Sequence, residues 1–148
     1  MQLRAAQPGD ADHLTGLALR SKAHWGYDEA FIEACRAELT ITPERIAAET
    51  IVVAEVEGDV VGFMAVVDGS LEDLFTEPAH IGTGVGSALL AAAVEAAAGD
   101  GYDSLSIEAD PNAADWYRAK GAIDVGTVAS GSIPGRILPL LALPISET

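Results

Sequence analysis

The sequence predicts a single α/β domain in which helices flank a mixed β-sheet. The first observation is length, because 148 residues fit one domain and are too few for two ordinary ones. The second is that segments rich in β-branched residues alternate with helix-forming segments, without an internal repeat. The third is composition, since 49% apolar and 21% charged residues are typical of a globular protein.

The first fifty residues predict one short strand followed by three helices. Met1 to Ala6 alternates apolar and polar residues, as a strand does. Asp10 follows a turn and is placed to cap a helix that runs to about Lys22. A second helix is predicted to begin at Asp28. The run Thr42-Pro43-Glu44 has the cap, first-turn proline and acidic residue of a third helix start.

The middle of the chain predicts three strands. Residues 50–56 and 60–67 are rich in β-branched residues and are separated by the turn signal Glu57-Gly58-Asp59, which predicts an antiparallel hairpin. A further strand is predicted at residues 71–76.

The remaining residues predict a helix, a strand, a helix and two strands. Residues 87–98 are rich in Ala and Leu, and the glycines that follow can end this helix. A strand is predicted at residues 104–108. Asp110-Pro111 then supplies an N-cap and a first-position proline for a helix through about Lys120. The last two strands are predicted at about residues 122–128 and 136–143.

The charge of the chain argues against direct binding of nucleic acid. The net charge is −15, from 23 acidic and 8 basic residues, and no cluster of Lys or Arg could neutralise a phosphate backbone.

Other features predict a cytoplasmic protein without a membrane segment. Cys35 is the only cysteine, and the N-terminus lacks the charged start and apolar run of a signal peptide. The longest apolar runs fall short of the roughly 20 residues that span a bilayer. The His, Cys and carboxylate residues show no compact metal-ligand spacing, so no metal is expected.

A glycine-rich loop precedes the helix of residues 87–98. Gly82, Gly84 and Gly86 alternate there, and such a loop can aim several N–H groups at one anion. The helix start adds unpaired N–H donors and the positive end of a dipole, so the loop is predicted to bind a diphosphate. A sharp connection without a ligand is the alternative. The loop lacks the Lys of a P-loop, and its glycine spacing does not fit a dinucleotide fingerprint.

This loop resembles the central motif of the GNAT family of acetyl-CoA-dependent N-acetyltransferases. That motif is Arg or Gln, two variable residues, Gly, one variable residue, then Gly or Ala. Ile81, Gly84 and Gly86 occupy its positions, and Ile81 departs from it. Residues 74–78 resemble the exit of the family's fourth strand, and the element order extends the resemblance to nearly all of residues 1–148. The resemblance implies a mostly antiparallel mixed sheet with one splayed strand pair, in a single acetyltransferase domain.

The resemblance also implies acetyl-CoA as the acetyl donor, with no metal. Backbone groups of Leu74, Phe75 and Thr76 would pair with the pantetheine arm where the strands splay. Replacement of the cationic or amide side chain by Ile81 removes one contact but leaves the backbone donors. The residues implied to hold the diphosphate are Ile81, Gly82, Thr83, Gly84, Val85, Gly86 and Ser87.

Residues 110–122 resemble a later family segment, in which Asn precedes an aromatic-Tyr pair and the helix ends at Gly. The resemblance implies that Asn112 contacts the cofactor arm and that the phenol of Tyr117 protonates the departing CoA thiolate. A thiolate leaves more readily when a nearby acid supplies its proton. Core packing of Trp116 and Tyr117 is the alternative.

The amine that receives the acetyl group must be neutral to attack, but an amine with a pKa of about 10.4 is protonated at neutral pH. Some group must therefore take a proton from it. Glu72 and Asp73 lie on the strand that leads to the pantetheine site and point to opposite faces, so one of them is predicted to face the acceptor, with Glu72 favoured. There are three alternatives. The two carboxylates can serve only to solvate the strand surface, a water chain can take the proton instead of a direct base, or His24 can be the base.

Residues 22–27 lie between the first two helices, the region that usually covers the acceptor pocket in the resembling family. His24, Trp25 and Tyr27 are therefore candidate substrate contacts, with helix packing as the alternative.

The predicted function is direct transfer of an acetyl group, in a ternary complex, to a primary amine of a small molecule or peptide. A non-catalytic acyl-CoA-binding or regulatory domain is the alternative, and an interaction protein that does not use the cofactor is a third possibility. Homodimerisation is predicted through exposed late strands.

Overall fold

The computed structural model describes residues 1–145, and its sheet has seven strands in the order β1-β2-β3-β4-β5-β7-β6. The predicted domain of residues 1–148 extends into residues 146–148, which lie outside the described residues. The strands are β1 Gln2–Ala5, β2 Thr50–Val56, β3 Asp59–Val67, β4 Ser70–Thr76, β5 Ser104–Glu108, β6 Ile123–Ala129 and β7 Ile137–Pro144. The helices are α1 Ala11–Ala23, α2 Glu29–Leu39, α3 Pro43–Ala48, α4 Val85–Gly99 and α5 Ala114–Ala119.

The sheet is mostly antiparallel. Strands β1 to β4 pair in an antiparallel manner, as do β5 with β7 and β7 with β6. Only β4 and β5 are parallel neighbours within the described chain. The prediction of a mixed α/β fold with a mostly antiparallel sheet is confirmed.

Strands β4 and β5 separate after two residue pairs, Ser70 with Ser106 and Leu71 with Ile107. A β-bulge accompanies the separation, because Leu71 pairs with Val66 of β3 while Asp73 pairs with Ala65, which leaves Glu72 as the extra residue. A bulge bends its strand and redirects the side chains around it. The predicted splayed pair is therefore present.

Helices pack on both faces of the sheet. A separate cluster of buried apolar side chains lies between the helices and the sheet on each face. On one face, Leu14 and Leu17 of α1 pack in the same buried cluster as Phe63 of β3. On the other, Leu89 of α4 packs in the same cluster as Met64 of β3. Each fully buried side chain of this size stabilises the fold by about 1.5–3 kcal/mol. No helix within residues 1–145 is both long and apolar enough to cross a membrane.

Local sequence explains several helix boundaries. The side chains of Asp28 and Thr42 accept hydrogen bonds from the N–H groups of the third residue in α2 and α3, as their predicted capping roles require. Gly101 ends α4 in the left-handed conformation, φ 89°, and Gly121 ends α5 in the same way, φ 104°. These end signals depend on neighbouring residues alone.

The predicted cap at Asp10 is wrong because its carboxylate has other partners, and the predicted cap at Asp110 acts on a turn that precedes its helix. Asp10 precedes α1, but its side chain accepts the Gln7 N–H at 2.8 Å and pairs with Arg4 instead of capping the helix. Asp110 accepts a hydrogen bond from the N–H of Asn112 at 2.8 Å, so it caps the turn of residues 111–113, whereas α5 itself begins only at Ala114. The Asp110 carboxylate is held by Lys22 at 2.6 Å, a contact that local sequence does not reveal.

Candidate active site

A cleft of about 940 Å³ opens where β4 and β5 diverge. It runs from the glycine loop between β4 and α4 to the ends of α1, α2 and α3. The predicted site residues on its walls are Trp25, Glu72, Asp73, Leu74, Phe75, Thr76, Ile81, Gly82, Gly84, Gly86, Ser87 and Tyr117.

Two residues of the predicted glycine loop lie outside this lining. Val85 is buried in the core, where it packs against the backbone of Gly62. Thr83 is exposed and its hydroxyl donates to the carbonyl of His80 at 2.5 Å.

The glycine loop presents main-chain N–H groups to the cleft. Gly82 and Gly84 have φ angles of 83° and 94°, a left-handed conformation that side chains rarely adopt. Gly84 directly precedes the first residue of α4. Within residues 1–145, the N–H groups of Gly82 and residues 84–87 have no acceptor in the protein. A helix start with free donors is suited to a phosphate.

The end of β4 forms the middle of the cleft wall. Leu74, Phe75 and Thr76 pair with β3 on one side, but no strand within residues 1–145 pairs with them on the side of β5. Backbone N–H and C=O groups on that side are therefore available to an extended ligand that adds to the strand.

Tyr117 lies on the cleft wall with 7% of its surface exposed. Its ring packs edge-on against Trp116, with centroids 5.1 Å apart. The hydroxyl makes no hydrogen bond within residues 1–145, and it is not among the fully enclosed polar atoms, so it is open to the cleft. Burial raises the pKa of Tyr117 well above its usual value, and negative charge at Asp110 and Asp73 adds to this effect. The phenol is therefore held as a protonated donor.

The two adjacent carboxylates of β4 lie in different environments. Asp73 accepts a hydrogen bond from Arg45 at 2.6 Å and is almost fully buried, and burial raises its pKa despite the guanidinium. Glu72 is exposed to the cleft and has no Lys or Arg partner within the described chain. Partial desolvation, then the negative charges of Asp73 and Glu108, raise the pKa of Glu72.

Tyr27 and Asn112 lie outside the cleft lining, in a polar cluster around Asp110. The hydroxyl of Tyr27 contacts Asp110 at 3.0 Å, and accepts hydrogen bonds from Asn112 at 2.8 Å and Arg136 at 2.6 Å. Lys22 donates to the same carboxylate at 2.6 Å. The cluster fastens the end of α1 and the start of β7 to the turn after β5.

The Asp110 carboxylate is the charged centre of this cluster. Burial by itself raises the pKa of Asp110, but hydrogen bonds from Lys22 and from the backbone of Asn112 outweigh it and lower that pKa below its usual value. Tyr27 also stacks on Phe31 with ring centroids 3.9 Å apart, as the predicted helix-packing alternative requires.

The other residues of the loop after α1 divide between surface and cleft. Trp25 is 43% exposed and lines the cleft. His24 is exposed, meets the Trp25 ring edge-on and lies outside the cleft lining. Within residues 1–145, no group of His, Cys, Asp or Glu is arranged to hold a metal ion.

Sequence reasoning missed the site role of Arg45, which holds Asp73 and Glu49 together on the cleft wall. No motif signals this role, because Arg45 and Asp73 are 28 residues apart. The sequence pattern marks Asp110 only as a helix cap, although its position two residues after β5 places it near that strand's carboxyl end.

Comparison with known families tests the resemblance. The sequence model of the acetyltransferase (GNAT) domain matches residues 47–121. The chain belongs to the GNAT family of acetyltransferases. The matched segment includes β4, the glycine loop and Tyr117, which form part of the cleft wall. The predicted GNAT membership is therefore confirmed.

Solved GNAT structures share the whole fold. A GCN5-related N-acetyltransferase from Rhodopseudomonas palustris aligns with a TM-score of 0.83 and 22% identity, over 97% of this chain and 94% of that one. The PaiA N-acetyltransferase from Thermoplasma acidophilum, solved with coenzyme A, aligns with a TM-score of 0.77 and 16% identity, over 97% and 98%. YncA from Salmonella typhimurium, solved with acetyl-CoA, gives 0.68 and 21%, over 100% and 95%. None of the curated proteins that were compared matches the chain.

Proposed function

We propose that this GNAT protein transfers an acetyl group from acetyl-CoA to a primary amine by direct transfer in a ternary complex. The observation that carries the proposal is one continuous cleft with three parts. Free amides of the glycine loop lie at one end, the unpaired edge of β4 and Tyr117 lie in the middle, and carboxylates lie at the other end.

The glycine loop fits the diphosphate of the cofactor. A side chain on Gly82 or Gly84 would meet no protein atom within 4 Å, so the space above the loop is open. The free N–H groups of residues 84–87 converge at the positive end of α4. The edge of β4 at residues 74–76 would orient the amides of the pantetheine arm.

Tyr117 is proposed to protonate the sulfur that leaves. Acetyl-CoA, when bound, supplies an activated thioester carbonyl that an amine can attack. The Tyr117 hydroxyl is protonated at neutral pH, since burial raises further a pKa that is about 10 in a free phenol, and it has no hydrogen bond within residues 1–145 that would compete. A positioned acid of this kind contributes roughly 10²–10⁴-fold to a rate.

Glu72 is proposed to take the proton from the acceptor ammonium, directly or through one water. Its raised pKa brings it closer to neutral pH than an ordinary Glu, which improves a general base. Asp73 holds Arg45 and is proposed as a positioning residue.

Negative charge at the end of the cleft opposite the glycine loop, which we call the acceptor end, favours a cationic acceptor. Glu38, Glu72 and Glu108 line this end and form no ion pair within residues 1–145. An ammonium ion would be attracted there, whereas an anionic acceptor would be repelled. The acceptor is therefore proposed to be the primary amine of a small molecule or peptide.

The experiment is release of free CoA from acetyl-CoA, assayed across small amines and peptide N-termini. Acceptor-dependent release supports the enzyme. Binding of acetyl-CoA without turnover on any acceptor would favour the non-catalytic acyl-CoA-binding domain, which the exposed Ile81 also favours.

A homodimer and a cytoplasmic location are part of the proposal. Strand β6 lies at the edge of the sheet, and Ile123 and Val125 on it are exposed, so a second copy could cover this edge. Sedimentation of the wild type and of Val125→Lys tests the dimer, since only the former would sediment as one. The buried free thiol of Cys35 is compatible with a reducing compartment.

A further inference from the structure

Among the residues that the structure describes, Lys120 differs from the other basic residues in its lack of a carboxylate partner. The protein has 8 Lys and Arg residues against 23 acids. Lys120 forms no ion pair within residues 1–145. The others each approach a carboxylate oxygen to 3.6 Å or less, and they are Arg4, Arg20, Lys22, Arg36, Arg45, Arg118 and Arg136.

The ammonium of Lys120 lies beside the glycine loop. Its Nζ donates a hydrogen bond to the hydroxyl of Ser87, in the first turn of α4, at 2.7 Å. The same atom is 5.4 Å from the centre of the Trp116 ring. Trp116 in turn packs on Gly86, where a Cβ would lie 3.4 Å from the ring. Lys120 therefore reaches from the end of α5 to the free N–H groups that begin α4.

The loop itself lacks the side chain that the GNAT motif provides. Ile81 stands where the motif has Arg or Gln, and 44% of its surface is exposed. Helix N–H groups supply only about half a positive charge. A phosphate ligand that approaches a protein of net charge −15 meets repulsion, so a full positive charge at the loop would matter.

We propose that Lys120 binds the diphosphate of coenzyme A, and so supplies from α5 the charge that Ile81 lacks. The inference rests on the proposed function. In the free protein the ammonium is held by a neutral hydroxyl, so no ion pair within the described residues has to break when a phosphoryl oxygen takes its place. Each of the other basic residues would first have to leave a carboxylate.

The test is calorimetric titration of CoA into three variants. Lys120→Gln keeps a donor for Ser87 but removes the charge, and we expect binding about three- to tenfold weaker, the range for an exposed or partly exposed ion pair. Lys120→Arg keeps the charge and should bind within about twofold of wild type. Arg118→Gln removes the same charge from the same helix and should leave the Kd unchanged, because Arg118 is engaged by Asp115 and Asp124.

Two further titrations test where on the cofactor and the loop the charge of Lys120 acts. Ile81→Arg in the Lys120→Gln background should restore tight binding, because it returns a cation to the loop from the other side. With 3′-dephospho-CoA the Lys120→Gln loss should stay the same, since the diphosphate is still present. If the loss disappears with that ligand, Lys120 contacts the 3′-phosphate and the assignment to the diphosphate is wrong.

The outcomes separate this inference from the proposed function. If wild type does not bind CoA, both fail. If wild type binds CoA and Lys120→Gln binds it equally well, only the Lys120 inference fails. Equal weakening by Arg118→Gln would also overturn it, since net charge rather than position would then be the cause.

Discussion

Arg45 and Asp73 form an ion pair on the cleft wall, with 2.6 Å between Nη2 and Oδ2. The pair separates two carboxylates that are adjacent in the sequence. Asp73 is buried and bound to a guanidinium, whereas Glu72 protrudes at a bulge without a basic partner in the described chain. Of these two carboxylates, Glu72 is therefore the one that we propose accepts a proton from a substrate.

The pH dependence of the reaction should report Glu72. A base must be ionised, and the pKa of Glu72 is raised, so we expect kcat/KM to fall as the pH decreases through that raised value. Glu72→Gln should lower kcat about 100-fold and remove this acidic limb. Glu95→Gln, on the exposed side of α4, is the matched control and should keep the wild-type profile. An acidic limb that persists in Glu72→Gln would assign the proton to another group.

Replacement of Tyr117 by Phe should slow the reaction without weakening cofactor binding. The hydroxyl alone is removed, so we expect kcat to fall about 100-fold while the Kd of CoA changes less than about twofold. Urea unfolding should change by less than about 1 kcal/mol, because the hydroxyl has no partner within residues 1–145. Steady-state CoA release measures kcat, and a fully active Tyr117→Phe would remove the phenol from the mechanism.

Replacement of Arg45 and replacement of Asp73, the two partners of the buried ion pair, should lower the stability of the fold by different amounts. Arg45→Met leaves the buried Asp73 carboxylate without its cation, so we expect a loss of about 3–5 kcal/mol at pH 7. Asp73→Asn leaves Arg45 bound to Glu49 at 2.7 Å, so its loss should be about 1–2 kcal/mol.

The Arg45→Met loss should also shrink as the pH falls. In the wild type, burial raises the pKa of Asp73 and Arg45 partly offsets this effect, so removal of Arg45 raises that pKa further and the variant gains more stability than the wild type on acidification. Urea titrations at pH 7 and pH 5 would show it. Equal losses for both variants at both pH values would contradict this description of the pair.

The conformation of the glycine loop should not tolerate a side chain at Gly84. With φ at 94°, Gly84→Ala is expected to cost about 1–2 kcal/mol of stability and to weaken CoA binding, because the loop must relax to relieve the strain. Gly9→Ala is the control, since Gly9 has no unusual φ and a methyl group added there would meet no other atom within 4 Å. CoA titration and thermal unfolding measure both effects. Equal behaviour of the two variants would show that the loop does not depend on this geometry.

The Asp110 cluster should make stability depend on pH in the acidic range. Because the folded pKa of Asp110 is lowered, its ionised form stabilises the fold above the unfolded pKa of about 4, and this contribution is lost as the pH falls through the folded value. Asp110→Asn should therefore cost about 1–3 kcal/mol at pH 7. The difference from wild type should shrink as the pH falls below the unfolded pKa. A difference that stays constant from pH 7 to pH 2 would mean that the charge of Asp110 is not what holds the cluster.

Local sequence patterns predicted the structure correctly where a residue interacts with its neighbours in the chain. The turn signal at residues 57–59 predicted the hairpin of β2 and β3, and Thr42 predicted the start of α3. The same reasoning did not reveal that Asp110, besides accepting the N–H of Asn112, forms an ion pair with Lys22, 88 residues away. Local propensity is a weak guide when a charged side chain has a distant partner.

The sequence alone determined the order of strands and helices, the glycine loop and the family to which the chain belongs, because each of these depends on residue types at short spacing. Only the tertiary structure decided that Glu72 lies open while Asp73 is paired, that Tyr27 and Asn112 bind Asp110, and that Lys120 lies beside the glycine loop. These relationships join residues far apart in the chain. They are set by a bulge, a strand separation and helix packing, which no short spacing records.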